Sequence, residues 1–209
     1  MIRILIADDH SVVRQGLERI LLKEFPSALV EQVADGEDMV KKVMESPWNL
    51  VISDLSMPGR SGLEALRQIK ELQPKLPFLI LSVHPEEHYA IRVLKAGASG
   101  YLSKNMAPEE LVNAVHRVLL GRKYITPSIA EKLADQMSEE GGQQPHEQLS
   151  DREFEVLKFL ASGKSLTEIA TVLSISATTV GTYRARLMAK MNLKTNADLT
   201  RYAITNNLL

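Results

Sequence analysis

The sequence predicts two folded parts: an α/β doubly wound five-stranded parallel sheet in the first 120 residues or so, then an all-α four-helix domain with a helix-turn-helix. Three observations predict it. Short apolar runs alternate with segments of helical spacing in the first part, as in β-α-β units whose sheet is covered on both faces. The stretch Ser138–Gln148 (SEEGGQQPHEQ) has no large apolar residue, two adjacent glycines and a proline, so it cannot bury a core. Beyond it, capping signals recur at helical intervals with no strand pattern between them.

The apolar runs are Ile2–Ala7, Leu29–Ala34, Leu50–Ser53, Phe78–Val83 and Ser99–Ser103, rich in β-branched and aliphatic residues. Between them, Val12–Leu22, Glu37–Met44, Gly62–Leu72, Glu87–Ala96 and Pro108–Leu119 carry the 3.6-residue period. Ile125–Met137 predicts a further helix, with Pro127 in its first turn and Ile129 and Leu133 one turn apart. In the tail, Ser150-Asp151-Arg152-Glu153 and Ser165-Leu166-Thr167-Glu168 are capping boxes. Ser176 caps a third helix through Met191, Thr195-Asn196-Ala197-Asp198 resembles a cap for the fourth, and Gly163 supplies a left-handed residue after the first. The expected organisation is a first domain at 1–121, a helical and flexible linker at 122–148, and a second domain at 149–209.

Composition narrows the function classes. With 44% hydrophobic and 24% charged residues, the chain is of ordinary globular type. It has no cysteine, which removes disulfides and thiolate metal sites and fits a reducing cytoplasm. The apolar start ends at Asp8, Asp9 and His10, too short and too acidic for a signal peptide or membrane span, so a cytoplasmic protein with no membrane partner is expected. The net charge of −1 hides an asymmetry: from Leu149 onward eight basic residues face five acidic ones, leaving +3 in the tail and −4 elsewhere. An acidic module tethered to an anion-binding one has this signature, and so has chance segregation.

Ligands of doubly wound sheets bind beyond the carboxyl ends of the strands, where the strand order reverses. Asp8 and Asp9 end the first run and Asp54 ends the third. Such clustered carboxylates repel unless a cation joins them, and with no His or Cys ligand read into the pattern, hard oxygen donors point to Mg²⁺. Ser82 ends the fourth run and Lys104 the fifth. A nucleophilic carboxylate, a metal, an ammonium and a hydroxyl around one point are what in-line phosphoryl transfer requires. Singly, each is more often a helix cap, a surface lysine or a loop hydroxyl; it is their convergence that carries the reading.

Residues 1–120 resemble a CheY-like receiver domain through ILIADDH, VISDLSMPGRSG, LILSV and AGASGYLSK. The resemblance implies a flavodoxin-like fold with Asp54 as phosphoacceptor. It also implies Asp9 as a direct Mg²⁺ ligand, Asp8 as a ligand through water, and Ser56 as a donor through its backbone carbonyl. Lys104 then pairs with the phosphoryl oxygens, and Ser82 and Tyr101 occupy the switch positions. Where many receivers have proline after the lysine, this chain has Asn105, which puts the shape of that loop in doubt. Ser56 and His84 are expected to tune the phosphoryl lifetime.

In the tail, Ser165–Leu173, a break at Ser174-Ile175-Ser176 and Ala177–Met191 read as helix, turn, helix. Val180, Tyr183, Leu187 and Met191 share one face, expected to pack on Val156, Leu160, Ile169 and Leu173. The other face, with Thr178, Thr182, Ala185, Arg186 and Ala189, is small and polar, as suits close approach to a groove. On pattern alone, a DNA reader and a protein-interaction module are equally compatible. The segment QLSDREFEVLKFLASGKSLTEIATVLSISATTVGTYRARLMAKMN resembles the LuxR-type (NarL/FixJ) effector domain over about residues 147–209. That implies double-stranded promoter DNA, with Thr178, Thr179, Gly181, Thr182 and Ala185 toward the bases and Arg184, Arg186 and Lys190 toward phosphates. Gly181 and Ala185 depart from the family, where lysine or another base-reading residue is common.

The whole chain is thus expected to be a two-component response regulator, phosphorylated at Asp54 by a sensor histidine kinase and dimerising on DNA. The last helix, Asn196–Leu208, is the expected dimer contact through Leu199 and Ala203, an edge that could equally be core. Two rivals stand beside it: DNA binding without phosphorylation control, and a phosphotransfer or phosphatase enzyme acting on separate substrates, for which the chain offers no substrate-sized second domain.

Overall fold

The computed structural model describes residues 1–138 and 144–209 and divides the chain into two compact units, Met1–Ser138 and Glu139–Leu209. Residues 139–143 of the expected linker lie outside the described residues.

The first unit is a five-stranded all-parallel sheet of order β2-β1-β3-β4-β5, built from β1 (Arg3–Ala7), β2 (Leu29–Val33), β3 (Leu50–Asp54), β4 (Phe78–Ser82) and β5 (Gly100–Ser103). The helices α1 (Ser11–Glu24), α2 (Gly36–Glu45), α3 (Gly62–Leu72), α4 (Glu86–Lys95) and α5 (Pro108–Leu119) alternate with the strands, each within a few residues of its expected bounds. Strand residues alternate between two buried faces. Ile4, Ile6, Leu50, Ile52, Leu79, Leu81 and Leu102 pack with Leu17 and Leu21 of α1 and Leu111, Val115 and Val118 of α5. The intervening Leu5, Val51, Phe78, Ile80 and Tyr101 are equally buried. This two-sided burial is why β1, β3 and β4 read as unbroken apolar runs. The order reverses between β1 and β3, so the crevice at their carboxyl ends is the switch point of the sheet.

Part of the expected linker belongs to this unit. Tyr124 forms a parallel bridge with Gly100, and a Cβ at Gly100 would lie 2.9 Å from the Tyr124 carbonyl oxygen, so a larger residue there would push the segment off the sheet. The Tyr124 hydroxyl donates to Glu110 Oε1 at 3.0 Å, and burial, with that carboxylate beside it, pushes the phenol up to about 12. The expected sixth helix forms as α6 (Pro127–Ser138); it packs on α4, buries Ile129 and is capped by Thr126, whose hydroxyl also donates to Glu86 at 3.1 Å.

The second unit consists of a 3₁₀ turn (Pro145–Gln148) and α7 (Asp151–Ala161), α8 (Leu166–Leu173), α9 (Ala177–Lys190) and α10 (Asn196–Thr205). The two expected capping boxes are present, and Thr195 with Asp198 forms a third. Gly163 is left-handed after α7, with φ 85°. Val180, Leu187 and Met191 bury against a core that includes Val156, Leu160, Ile169 and Leu173, as the periodicity predicts; Tyr183 is only half-buried. Two features differ from, or decide between, what the sequence offered. Pro145–Gln148, read as linker, is structured: the His146 ring lies against Phe154 and its Nδ1 is 2.9 Å from the Tyr202 hydroxyl. Leu199 and Ala203, read as a possible dimer edge, are fully buried within the unit, and Ile204 is the exposed apolar residue of α10. Among the described residues, no helix is long and apolar enough to cross a membrane.

Candidate phosphoacceptor site and nucleic-acid interface

Parallel pairing sets Ala7 beside Ser53 and Asp54 beside Leu81, so the residues that follow β1 and end β3 emerge at one rim. Ligand atoms of Asp8, Asp9, His10 and Asp54 lie within 4.8 Å of one another there. Asp8 and Asp54 are buried, while Asp9 is exposed. Gly62, which opens α3, is compelled by this packing: a Cβ would lie 1.9 Å from the Asp54 carbonyl oxygen. The Ser53 hydroxyl donates to the same oxygen at 2.8 Å.

Lys104, at the end of β5, reaches across the crevice, with its Nζ 2.7 Å from Asp8 Oδ2 and 2.8 Å from Asp54 Oδ2. Burial pushes the Asp54 carboxyl above the ordinary range, and Lys104 and the Ser56 backbone N–H only partly pull it back. For Lys104, burial works against the charge, but the two carboxylates outweigh it and hold the ammonium above its usual value. Three carboxylates against one ammonium leave an excess of negative charge with oxygen donors converging on it, which fits a small divalent cation of the Mg²⁺ type. The expectation that no histidine stands near the cluster fails. His10 Nδ1 is 2.7 Å from Asp9 Oδ1, and its backbone N–H donates to Asp8 Oδ1 at 2.9 Å. Its position next to Asp8-Asp9 in the chain was the available signal.

The remaining predicted residues meet at one backbone group. Ser82 is fully buried, and its Oγ accepts the His84 backbone N–H at 3.0 Å. Tyr101 is also fully buried, and its hydroxyl donates to the His84 carbonyl at 2.8 Å. The His84 ring is tilted against Tyr89, and its Nε2 is 3.2 Å from Ser56 Oγ. Ser82 and Tyr101 therefore both hold the His84 backbone, an arrangement that periodicity could not reveal. The Lys104–Asn105 peptide is trans, and the loop is tied by the Asn105 N–H donating to Ser103 Oγ at 3.2 Å.

On α9, Thr178, Thr182, Ala185, Arg186 and Ala189 are exposed along one face. Gly181 is half-covered, and Thr179 is engaged in the helix cap, its Oγ1 being 2.7 Å from Ser176 Oγ. The three expected phosphate-facing cations differ. Arg186 is exposed and has no ion-pair partner among the described residues. The Arg184 guanidinium donates twice to Asn196 Oδ1, at 3.0 and 2.8 Å. Lys190 Nζ lies 2.6 Å from Oε2 of Glu153, a carboxylate with only 4% of its side chain exposed. Burial works to raise the Glu153 carboxyl, but Lys190 and the Ser150 cap hold it below its usual value.

An acidic crevice at the switch point of a doubly wound sheet, followed by a helix-turn-helix unit, is the arrangement of a response regulator. Residues 4–116 match the response regulator receiver domain and residues 147–203 match the bacterial regulatory proteins of the luxR family, and the chain belongs to the two-component response regulators. It is a regulator of transcription with a receiver and a LuxR-type DNA-binding domain. The chain is similar to Response regulator UvrY of Escherichia coli (strain K12), at 38% identity over 209 residues covering 100% of this chain and 96% of the relative. It is similar also to Oxygen regulatory protein NreC of Staphylococcus carnosus (strain TM300), at 39% identity over 214 residues and 99% of each chain. Among solved structures, RcsB of Salmonella enterica serovar Typhimurium, bound to promoter rprA in the presence of phosphomimetic BeF3-, matches with TM-score 0.64 and 26% identity over 97% of this chain and 98% of that one.

Proposed function

We propose that Asp54 accepts a phosphoryl group from a sensor histidine kinase and that this controls dimerisation and the binding of promoter DNA by the second unit. The observation that carries the reading is the convergence of Lys104 on Asp8 and Asp54 at the switch point, at 2.7 and 2.8 Å. One oxygen of the ionised Asp54 carboxylate attacks phosphorus, and the bond to the donor's leaving group breaks with its electron pair. Lys104 neutralises charge on the phosphoryl oxygens. Asp8, Asp9, Asp54 and the Ser56 carbonyl would hold Mg²⁺, which when bound supplies further neutralisation of the transferring group. The Ser82 hydroxyl accepts from the His84 N–H yet keeps its own O–H free to donate toward a phosphoryl oxygen. A shift of Ser82 toward that oxygen pulls on the His84 backbone, which Tyr101 also grips, so the event at Asp54 reaches the Tyr101 ring.

The functional parts are a receiver at 1–121 and an effector at 149–209; of the residues 122–148 between them, Tyr124 and α6 pack on the first unit and Pro145–Gln148 on the second. On α9, Thr178, Gly181, Thr182 and Ala185 face base edges and Arg186 faces phosphate; Arg184 and Lys190 hold the helix in place through Asn196 and Glu153. The DNA complex of RcsB supports this use of the unit.

Two assays test the reading. Incubation with acetyl phosphate and Mg²⁺ should add one stable phosphoryl group to wild type and none to Asp54→Ala; rapid turnover of added phosphoesters would instead favour an enzyme. Genomic fragments recovered by the purified protein should be enriched by beryllofluoride in wild type alone. If no fragment were enriched in any state, α9 would have to be reassigned to a protein partner.

A further inference from the structure

Between β4 and α4 the chain has only Val83, His84 and Pro85. His84 is held at its N–H by Ser82 and at its carbonyl by Tyr101. Pro85 follows with φ −57°, a ring-locked link that absorbs little of any displacement at His84 before the helix begins. Glu86 then opens α4, half-buried, and its carboxylate is engaged from a distant part of the chain. The Thr126 hydroxyl donates to both of its oxygens, at 3.2 and 3.1 Å. The same hydroxyl oxygen accepts the Ile129 N–H at 3.3 Å, so one side chain both caps α6 and ties it to the first residue of α4.

Thr126 is not at liberty to follow Glu86. Two residues earlier, the Tyr124 N–H donates to the Ser99 carbonyl at 2.8 Å on the open edge of β5, and the Tyr124 hydroxyl is bound to Glu110 of α5. The segment is thus fixed to β5 and α5 independently of α4. The Glu86–Thr126 bond bridges a part of the unit that a shift of Ser82 pulls on and a part that is anchored elsewhere.

We infer that Glu86 and Thr126 are positioning residues for the response to phosphorylation: their bond holds the His84 segment back from the crevice, and it is given up when Ser82 is drawn toward a phosphoryl oxygen on Asp54. The inference rests on the reading of Asp54 as phosphoacceptor. Linkage makes the effect reciprocal. Whatever weakens the bond tightens binding at Asp54, and occupancy of Asp54 loosens the start of α6.

The test is the affinity of the full chain for beryllofluoride at fixed Mg²⁺, followed by fluorine NMR, beside hydrogen exchange at the Ile129 and Ala130 N–H groups, both bonded to Thr126. Glu86→Ala removes the acceptor and leaves the Thr126 cap in place. It should tighten beryllofluoride binding about fivefold, the scale of one hydrogen bond exchanged for water. General damage to the fold would weaken binding instead. Glu86→Gln keeps an acceptor oxygen and should stay within about twofold of wild type. Saturating beryllofluoride should speed exchange at the two N–H groups about fivefold in wild type, whereas in Glu86→Ala exchange should already be fast and change little. If Glu86→Ala bound beryllofluoride no more tightly than wild type, or Glu86→Gln tightened binding as much as Glu86→Ala, the inference would be overturned while the phosphoacceptor reading stood. If wild type bound no beryllofluoride, or Asp54→Ala bound it equally well, both would fall together.

Discussion

At the carboxyl ends of β1, β3 and β5 the chain brings opposite charges together and buries them. Along the outer face of α9 it leaves small residues and one cation facing outward. Asp8, Asp54 and Lys104 answer one another within the first unit, so their chemistry is fixed by the fold. On α9 the Thr182 hydroxyl donates to the Thr178 carbonyl at 3.1 Å, while Ala185 and Arg186 face outward; on the proposed reading the chemistry of this face is completed by DNA. Substitutions in the crevice should therefore alter both stability and phosphoryl chemistry, whereas those on the α9 face should alter recognition and leave the fold intact.

The largest expected effect is in the crevice. Lys104→Met removes the ammonium between two buried carboxylates. It should cost the metal-free first unit about 3 kcal/mol at neutral pH, and Mg²⁺ should restore part of that. Phosphoryl acceptance from acetyl phosphate should fall by a factor on the order of 10² to 10³. Chemical denaturation with and without Mg²⁺, beside mass spectrometry of the labelled protein, checks both; a variant as stable and as readily labelled as wild type breaks the account.

Next comes Glu153, the carboxylate that holds Lys190. Glu153→Gln should destabilise the second unit by about 1–3 kcal/mol, through loss of the Lys190 pair and a weaker Ser150 cap. The folded-state pKa of Glu153 is depressed, so its contribution is complete above the unfolded value near 4.3 and is lost as pH falls through the folded value. The gap between wild type and variant in denaturation curves should accordingly close in acid; a gap independent of pH would show that the charge is irrelevant.

The smallest effects sharpen the comparison among the cations. Arg186→Ala should weaken binding to all DNA sequences and reduce the slope of log affinity against log salt by about 1. Lys190→Ala should leave that slope unchanged and lower stability instead, because its ammonium is already committed to Glu153. Equal loss of slope in both would return Lys190 to the phosphate-facing set.

The crevice was legible in the sequence because each of its groups sits next to an apolar run that can only be a buried strand. Asp8 follows ILIA, Asp54 follows VIS and Lys104 follows YLS, so finding the strands places the side chains. What stayed hidden depends on partners distant along the chain. Glu153 lies 37 residues before Lys190, and Asn196 lies 12 beyond Arg184; helical period alone left both cations looking free. The same holds for Leu199 and Ala203: an apolar stripe on the last helix can face a core or a second copy, and only packing against α7 decides. His146 was concealed by composition, since a polar, proline-containing stretch gives no sign that one ring will settle between Phe154 and Tyr202.

Control of the α9 face by the crevice is read from the dissociation constant of the full chain for one genomically selected fragment at fixed salt, with and without beryllofluoride plus Mg²⁺. Affinity at least tenfold tighter in the beryllofluoride state is expected for wild type, a coupling of about 1.4 kcal/mol or more, and no change for Asp54→Ala. Equal affinity in both states for wild type, or an equal gain in Asp54→Ala, would contradict it.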